Sequence, residues 1–255
     1  MLAYAKRVPT ISHIIYYFMD IRLILERLRE RHGIAALNEM QQLMAGTDKR
    51  KMILLAPTGS GKTAAFAIRL LRDLKPSSGK LQAVVMAPAR ELVLQIAGVV
   101  RPVAAGLKTV AFYGGHSMAD EVNSLSVMPD IIVSTPGRLL DHITRGTLDV
   151  GVVKSLVLDE YDKSLELGFQ DEMRRIARRM KSVDMVLLTS ATRLEELPDF
   201  LPMNGAETID FTTRGERSRL QVVRVNTPLR DKLQPLADLL RSLSNGRAIV
   251  FVNHR

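Results

Sequence analysis

The sequence contains no cysteine and no tryptophan, and aromatic residues make up only 5% of it. Without cysteine there are no disulfides and no thiolate metal sites, which fits a cytoplasmic setting. Long apolar runs are missing too: the longest near-apolar stretches, Ile11–Met19 and Ile53–Ala56, fall far short of the roughly 20 residues that a membrane span needs. Lys6 and Arg7 precede an apolar stretch, but Ser12 and His13 interrupt it and no small-residue cleavage site follows, so no export signal is read. The histidines, His13, His32, His116, His142 and His254, have no ligand spacing, which speaks against a metal site built on them. The 12 methionines form no stripe, and no internal repeat is visible.

What is present is an ordinary globular composition: 255 residues, 46% hydrophobic and 25% charged. The net charge of +9 is unevenly spread, because residues 212–255 carry nine basic and three acidic side chains, which is +6 of it. A basic balance points to a polyanion partner. The main body is close to neutral, so charge alone carries little of the argument.

Short aliphatic runs recur, each followed by a helical pattern: 51–56, 81–87, 108–113, 130–135, 155–159, 184–190 and 206–211. Runs this short without polar alternation read as strands buried on both faces, hence a parallel sheet covered by helices. The expected fold is α/β, a doubly wound, mainly parallel sheet of about seven strands. A helix is expected from about Arg90 to Val100. Residues 212–230 are polar, basic and without helical period, and read as a linker. Beyond them 231–245 has helical apolar spacing and 247–255 reads as a strand, too little to bury a core of its own.

The stretch APTGSGKT (56–63) falls between a strand and a helix. Small residues at Gly59, Ser60 and Gly61 let backbone N–H groups turn inward around a polyphosphate, Lys62 adds a cation, and Thr63 offers a hydroxyl to Mg²⁺. The helix that begins there adds its positive end. The run SLVLDE (155–160) supplies a partner: Asp159 at a strand end can hold Mg²⁺ through water, and Glu160 can polarise an attacking water.

DEYD (159–162), SAT (190–192), APAREL (87–92) followed by Gln95, Gly114–Gly115 and TPGR (135–138) occur together with the phosphate loop. This set resembles the DEAD-box ATP-dependent RNA helicases of superfamily two. The resemblance implies a RecA-like P-loop NTPase domain over 19–211, with 1–18 unassigned and 231–255 the start of a second RecA-like domain. It further implies ATP and Mg²⁺ as cofactors, catalysis by Lys62, Asp159 and Glu160, and nucleotide contacts from Gln41, Thr58 and the loop through Thr63. Asp162, Ser190 and Thr192 would couple hydrolysis to strand separation.

Pro88, Arg90, Glu91, Gly114, Gly115, Thr135, Pro136, Gly137 and Arg138 would grip the RNA backbone with little sequence preference. Thr135 and Pro136 stand where an N-cap and first helical residue belong, so that helix end, with Arg138, is expected to receive an RNA phosphate. A membrane-free monomer is expected. Without the family's later motifs, turnover by these residues alone is expected to be poor. A silent RNA- or protein-binding module and a superfamily-two DNA helicase are the alternatives.

The chain departs from the family pattern at Tyr161, where alanine is usual, and at Ala89, where threonine is usual. Ile24 occupies the position of the adenine-stacking aromatic, and Phe18 is the nearest aromatic. The basic run 171–181 reads as a solvated face with local ion pairs, and an exposed strand at 247–253 as an edge open to swapping.

Overall fold

The computed structural model describes residues 21–76, 78–104, 106–193, 197–212, 223–228, 231–243 and 248–251. The chain divides into two compact units, 1–215 and 216–255.

In the first unit seven strands form one sheet: β1 Lys51–Leu55, β2 Ala83–Met86, β3 Thr109–Phe112, β4 Ile131–Ser134, β5 Ser155–Leu158, β6 Met185–Ser190 and β7 Glu207–Asp210. They lie in the order β3-β4-β2-β5-β6-β1-β7, and every neighbouring pair is parallel. The helices are α1 Ile21–His32, α2 Glu39–Gly46, α3 Lys62–Arg72, α4 Arg90–Val103, α5 Met118–Ser124, α6 Pro136–Thr144, α7 Tyr161–Glu166 and α8 Gln170–Ala177.

The strands read as continuous apolar runs because both sheet faces are covered. Met52 and Leu54 of β1 join one core with Ile24, Leu28, Phe66, Ile68 and Ile96 from α1, α3 and α4. Ile53 and Leu55 join the other with Leu139, Ile143, Met173 and Ile176 from α6 and α8. Alternate side chains of one strand thus feed opposite cores. The two edge strands are less covered: β3 pairs only with β4 and alternates buried with half-buried residues, and β7 pairs only with β1, with Glu207 and Thr208 exposed.

α4 runs three residues past the expected end because Pro102 sits inside its last turn without stopping it. Of the basic run 171–181, residues up to Ala177 belong to α8, and an ion pair there reaches across to another segment, Arg174 to Asp199 at 2.7 Å.

The second unit holds α9, Leu233–Ser242, with Leu233, Leu239 and Leu240 exposed. The expected strand over 247–255 is not formed at 248–251, the part of it described, where Ile249 and Phe251 are exposed. A strand needs a neighbour's backbone groups, and among its described residues this unit contains no other strand. Residues 1–18, including Phe18, and most of 212–230 lie outside the described residues.

Candidate functional site

A parallel sheet puts the ends of all its strands on one edge, and the motifs sit there. β1 exits toward β2 on one side of the sheet, while its neighbour β6 exits toward β7 on the other. β5 lies on the other side of β6, so the ends of β1, β6 and β5 stand in one row.

The phosphate loop joins the end of β1 to α3 on that edge. Gly61 is the N-cap of α3 in the left-handed region, with φ 90°, a conformation that favours glycine. Lys62 is buried, and its Nζ donates to the carbonyls of Ala56 (2.7 Å) and Pro57 (3.1 Å). Ser60 Oγ also donates to Pro57 O at 2.7 Å. The loop is therefore bonded to itself, and a polyphosphate would take over bonds that these carbonyls now accept.

Gln41 closes one side. It is the N3 residue of a capping box on α2: its N–H donates to Asn38 Oδ1 (2.9 Å) and its Oε1 accepts from the Asn38 N–H (3.0 Å). Its Nε2 donates to Gly61 O over 3.4 Å, and Asn38 Nδ2 donates to Ser60 O at 3.1 Å. Gln41, expected to contact the nucleotide, is thus buried against the phosphate loop with donor and acceptor both engaged internally. Ile24 is fully buried in the core, so that position offers no stacking surface.

At the end of β5, Asp159 is buried and its pKa is pushed up to about 6, chiefly by burial, with Glu160 adding to the rise and the Thr189 hydroxyl and Lys62 opposing it. The Thr189 hydroxyl donates to Asp159 Oδ1 and accepts the Glu160 N–H at 3.1 Å. Thr189 escaped sequence reasoning; its only signal is that it precedes SAT at the end of the neighbouring strand. Among the described residues Glu160 is the sole non-glycine with positive φ, at 49°. That turn costs about 1–2 kcal/mol for an L side chain, and it separates the Asp159 carboxylate from α7. A buried carboxylate within electrostatic reach of Lys62, the first residue of α3, is an oxygen donor suited to Mg²⁺.

Asp162, three residues on, behaves oppositely. Burial pushes its pKa up, but hydrogen bonds outweigh it and the net shift is downward. Its Oδ2 accepts from the Thr192 hydroxyl (2.9 Å) and N–H (3.2 Å), and Oδ1 accepts from the Lys163 N–H (3.0 Å). Ser190 Oγ accepts from the Thr192 N–H and donates to its carbonyl. The three expected coupling residues therefore form one hydrogen-bonded unit.

Tyr161 between them turns into the apolar core, where burial and the Asp199 carboxylate push its pKa up to about 12. With Asp162, Arg174, Thr192 and Asp199 it lines a cavity of about 770 Å³. The core absorbs the bulk of this residue.

The second group of motifs follows β2, β3 and β4. Pro88 is buried, while Arg90 and Glu91 are exposed at the start of α4. Ala89 is the N-cap of α4 and makes no side-chain cap bond, so the missing threonine hydroxyl also costs the helix a cap of about 1 kcal/mol. Arg90 lies 5.0 Å over the Tyr113 ring, and Gly114 and the positive-φ Gly115 form an exposed turn after β3.

Thr135 and Pro136 are the N-cap and first residue of α6, as expected. Arg138, expected to contact an RNA phosphate, is bonded within the protein. Its Nε donates to Glu121 Oε2 at 2.6 Å and its NH2 group donates to His116 O at 2.8 Å, so the charge is already paired. Glu121 and His142, both buried and both missed in the sequence, complete this cluster.

The sequence model of DEAD/DEAH box helicases matches residues 37–200. The chain is 34% identical over 218 residues to the DEAD-box ATP-dependent RNA helicase CshA of Bacillus subtilis, covering 84% of this chain and 44% of that protein. It is 30% identical over 254 residues to the ATP-dependent RNA helicase eIF4A of Candida albicans, covering 96% of this chain and 64% of that one. Among solved structures, a DEAD box protein from Methanococcus jannaschii has a TM-score of 0.69 at 30% identity, covering 89% of this chain and 62% of its own. The chain thus spans less than two thirds of each of these relatives. Among the described residues no helix is long and apolar enough to cross a membrane. With a seven-stranded parallel sheet carrying these motifs on one edge, and a family match over residues 37–200, the chain belongs to the DEAD/DEAH box helicase family.

Proposed function

We propose that the chain binds ATP with Mg²⁺ and forms the ATP-binding domain of an RNA helicase that couples nucleotide binding and hydrolysis to local strand separation. The observation that carries this reading is the meeting, on one edge of the sheet, of a phosphate loop holding Lys62 with a buried carboxylate, Asp159, whose pKa is pushed up to about 6. Thr63, and Asp159 through water, would hold Mg²⁺, which supplies neutralisation of charge on the β- and γ-phosphate oxygens. Thr58, Gly59, Ser60, Gly61 and Lys62 would cradle the phosphates, and Glu160 would orient and deprotonate the attacking water. Gln41 would read adenine, which requires its long bond to Gly61 to yield. Thr192 and Ser190, bonded to Asp162, would transmit the state of the phosphate site to the RNA face formed by Pro88, Arg90, Glu91, Gly114, Gly115 and Thr135–Gly137.

Among the described residues, Lys62 is the cation hydrogen-bonded inside the phosphate loop. A further guanidinium at the γ-phosphate is worth about 10³–10⁵ in rate in related phosphoryl transfers, so turnover by these 255 residues is expected to be slow. The test is ATP hydrolysis with and without single-stranded RNA, beside Glu160→Gln. RNA-stimulated turnover that the substitution removes supports the reading. Failure of a fluorescent ATP analogue to bind with Mg²⁺, or stimulation by single-stranded DNA equal to that by RNA, contradicts it.

A further inference from the structure

The proposed RNA face contains a buried carboxylate that neither nucleotide chemistry nor direct RNA contact uses. Glu121, on α5, is 2% exposed and lies where three segments meet. Its Oε1 accepts the Tyr113 N–H (3.2 Å), which leads into the Gly114–Gly115 turn. Its Oε2 accepts from Arg138 Nε (2.6 Å) and His142 Nε2 (2.8 Å), both on α6, the helix that opens at Thr135. A carboxylate accepts, so His142 carries its proton on Nε2; its Nδ1 pairs with Thr147 Oγ1 at 2.9 Å. The His142 ring also stacks on Phe112, the last residue of β3, at 4.3 Å. Arg138 in turn donates to the His116 carbonyl, just past the glycine turn, at 2.8 Å. Glu121 and Arg138 together therefore bind the turn after β3 to the first turns of α6 from both sides.

We infer that Glu121 is a positioning residue for RNA: through Arg138 and His142 it fixes the Gly114–Gly115 turn against the start of α6, and Arg138 serves that tie and not an RNA phosphate. This inference rests on the RNA reading above. A guanidinium already paired with a buried carboxylate and a backbone carbonyl would leave two acceptors unpaired if it turned outward to a phosphate. An exposed basic residue would lose nothing by the same move. Recognition then depends on how precisely the two turns are held together, and not on the number of charges facing outward.

The experiment measures single-stranded RNA binding by fluorescence anisotropy across a salt series, for the wild type and for Glu121→Gln, Arg138→Gln, Arg138→Lys and the Glu121→Gln/Arg138→Gln pair. Each single substitution strands one partner of the tie and is expected to weaken RNA binding about tenfold, leaving affinity for a fluorescent ATP analogue unchanged. The double substitution removes both charges and is expected to recover to within about threefold of the wild type. The salt slope stays the same throughout, because no phosphate contact is lost.

Arg138→Lys keeps the charge but cannot reach both acceptors, so it is expected to resemble Arg138→Gln. Amide exchange supplies a readout independent of RNA: in Glu121→Gln it speeds up over 113–118 and not over 51–63. The inference is overturned if Arg138→Gln lowers the slope by about 0.7, the value of one phosphate on a single strand. It is equally overturned if Arg138→Lys binds as the wild type does, if the pair fails to recover, or if exchange over 113–118 is unaltered. A wild type that binds no RNA, while still binding the nucleotide, overturns the RNA reading and this inference with it.

Discussion

The two halves of the motif edge handle charge in opposite ways. At the ends of β1, β5 and β6 the polar groups are left in costly states: Asp159 is buried with its acid pushed up to about 6, Glu160 holds a left-handed backbone, and Lys62 is bonded to its own loop. At the ends of β3 and β4 they satisfy one another: Glu121 meets three donors, and Arg138 and His142 each have two polar partners. On the proposed reading, a polyphosphate and its metal cation would relieve the cost of these groups in the first half, so ligand binding would stabilise the fold. The second is preorganised and presents a finished shape. Asp162, bonded to Thr192 and Lys163, sits at the junction and shares the character of the finished half.

The largest effect that could break this contrast is at Asp159. Asp159→Asn is expected to reduce ATP turnover by at least about 10³ and yet to stabilise the ligand-free protein by up to about 3 kcal/mol at neutral pH, from a shift of 3.8 to about 6. The sign follows from linkage: a raised acid contributes stability that is complete below its unfolded pKa and lost as pH rises through the folded one. The advantage of the variant should thus be absent near pH 3.8, grow to about pH 6, and then level off, as followed by urea melts.

Asp162→Asn should show the mirror image. A carboxyl held down in the fold contributes stability above its unfolded pKa and loses it as pH falls through the depressed value. The variant is expected to be less stable by about 2 kcal/mol at neutral pH, with the deficit fading in acid.

Gly61→Ala tests how the phosphate loop is fitted to its neighbours. A Cβ there would lie 2.7 Å from Gln41 Nε2 at φ 90°. The substitution is expected to cost about 1–2 kcal/mol of stability and to weaken nucleotide binding, measured by calorimetry.

Glu160→Gly should have the smallest effect on stability: it removes hydrolysis but relieves the left-handed turn, a gain of about 1 kcal/mol. A loss of stability there would mean that the turn is not strained.

The placement of the half around the phosphate loop was largely legible in the sequence because its groups are neighbours along the chain or sit at strand ends that periodicity marks. The phosphate loop, Asp159 and the Thr135–Pro136 helix start all lie where strand-then-helix patterns put them. The Glu121 cluster was not legible, since Tyr113, Glu121, Arg138 and His142 come from four segments whose contact depends on β3 lying beside β4. The spacing marks Arg138 as a residue of the helix start, but its bonds to Glu121 and the His116 carbonyl appear only in the fold. Thr189 was missed for a related reason, as its role appears only when β6 lies beside β5. The apolar run at 248–251 read as a strand because its side chains suit one; pairing, which composition does not report, decides whether one forms.

Thermal unfolding of the wild type and Asp159→Asn, each with and without Mg²⁺ and a non-hydrolysable ATP analogue, tests the central claim most directly. The ligand-free variant should melt above the ligand-free wild type, and the analogue should raise the wild-type melting temperature while leaving the variant nearly unmoved. A variant that melts below the wild type, or that responds to the analogue as fully as the wild type does, would contradict the account of Asp159 as a charge held in readiness for the nucleotide's metal.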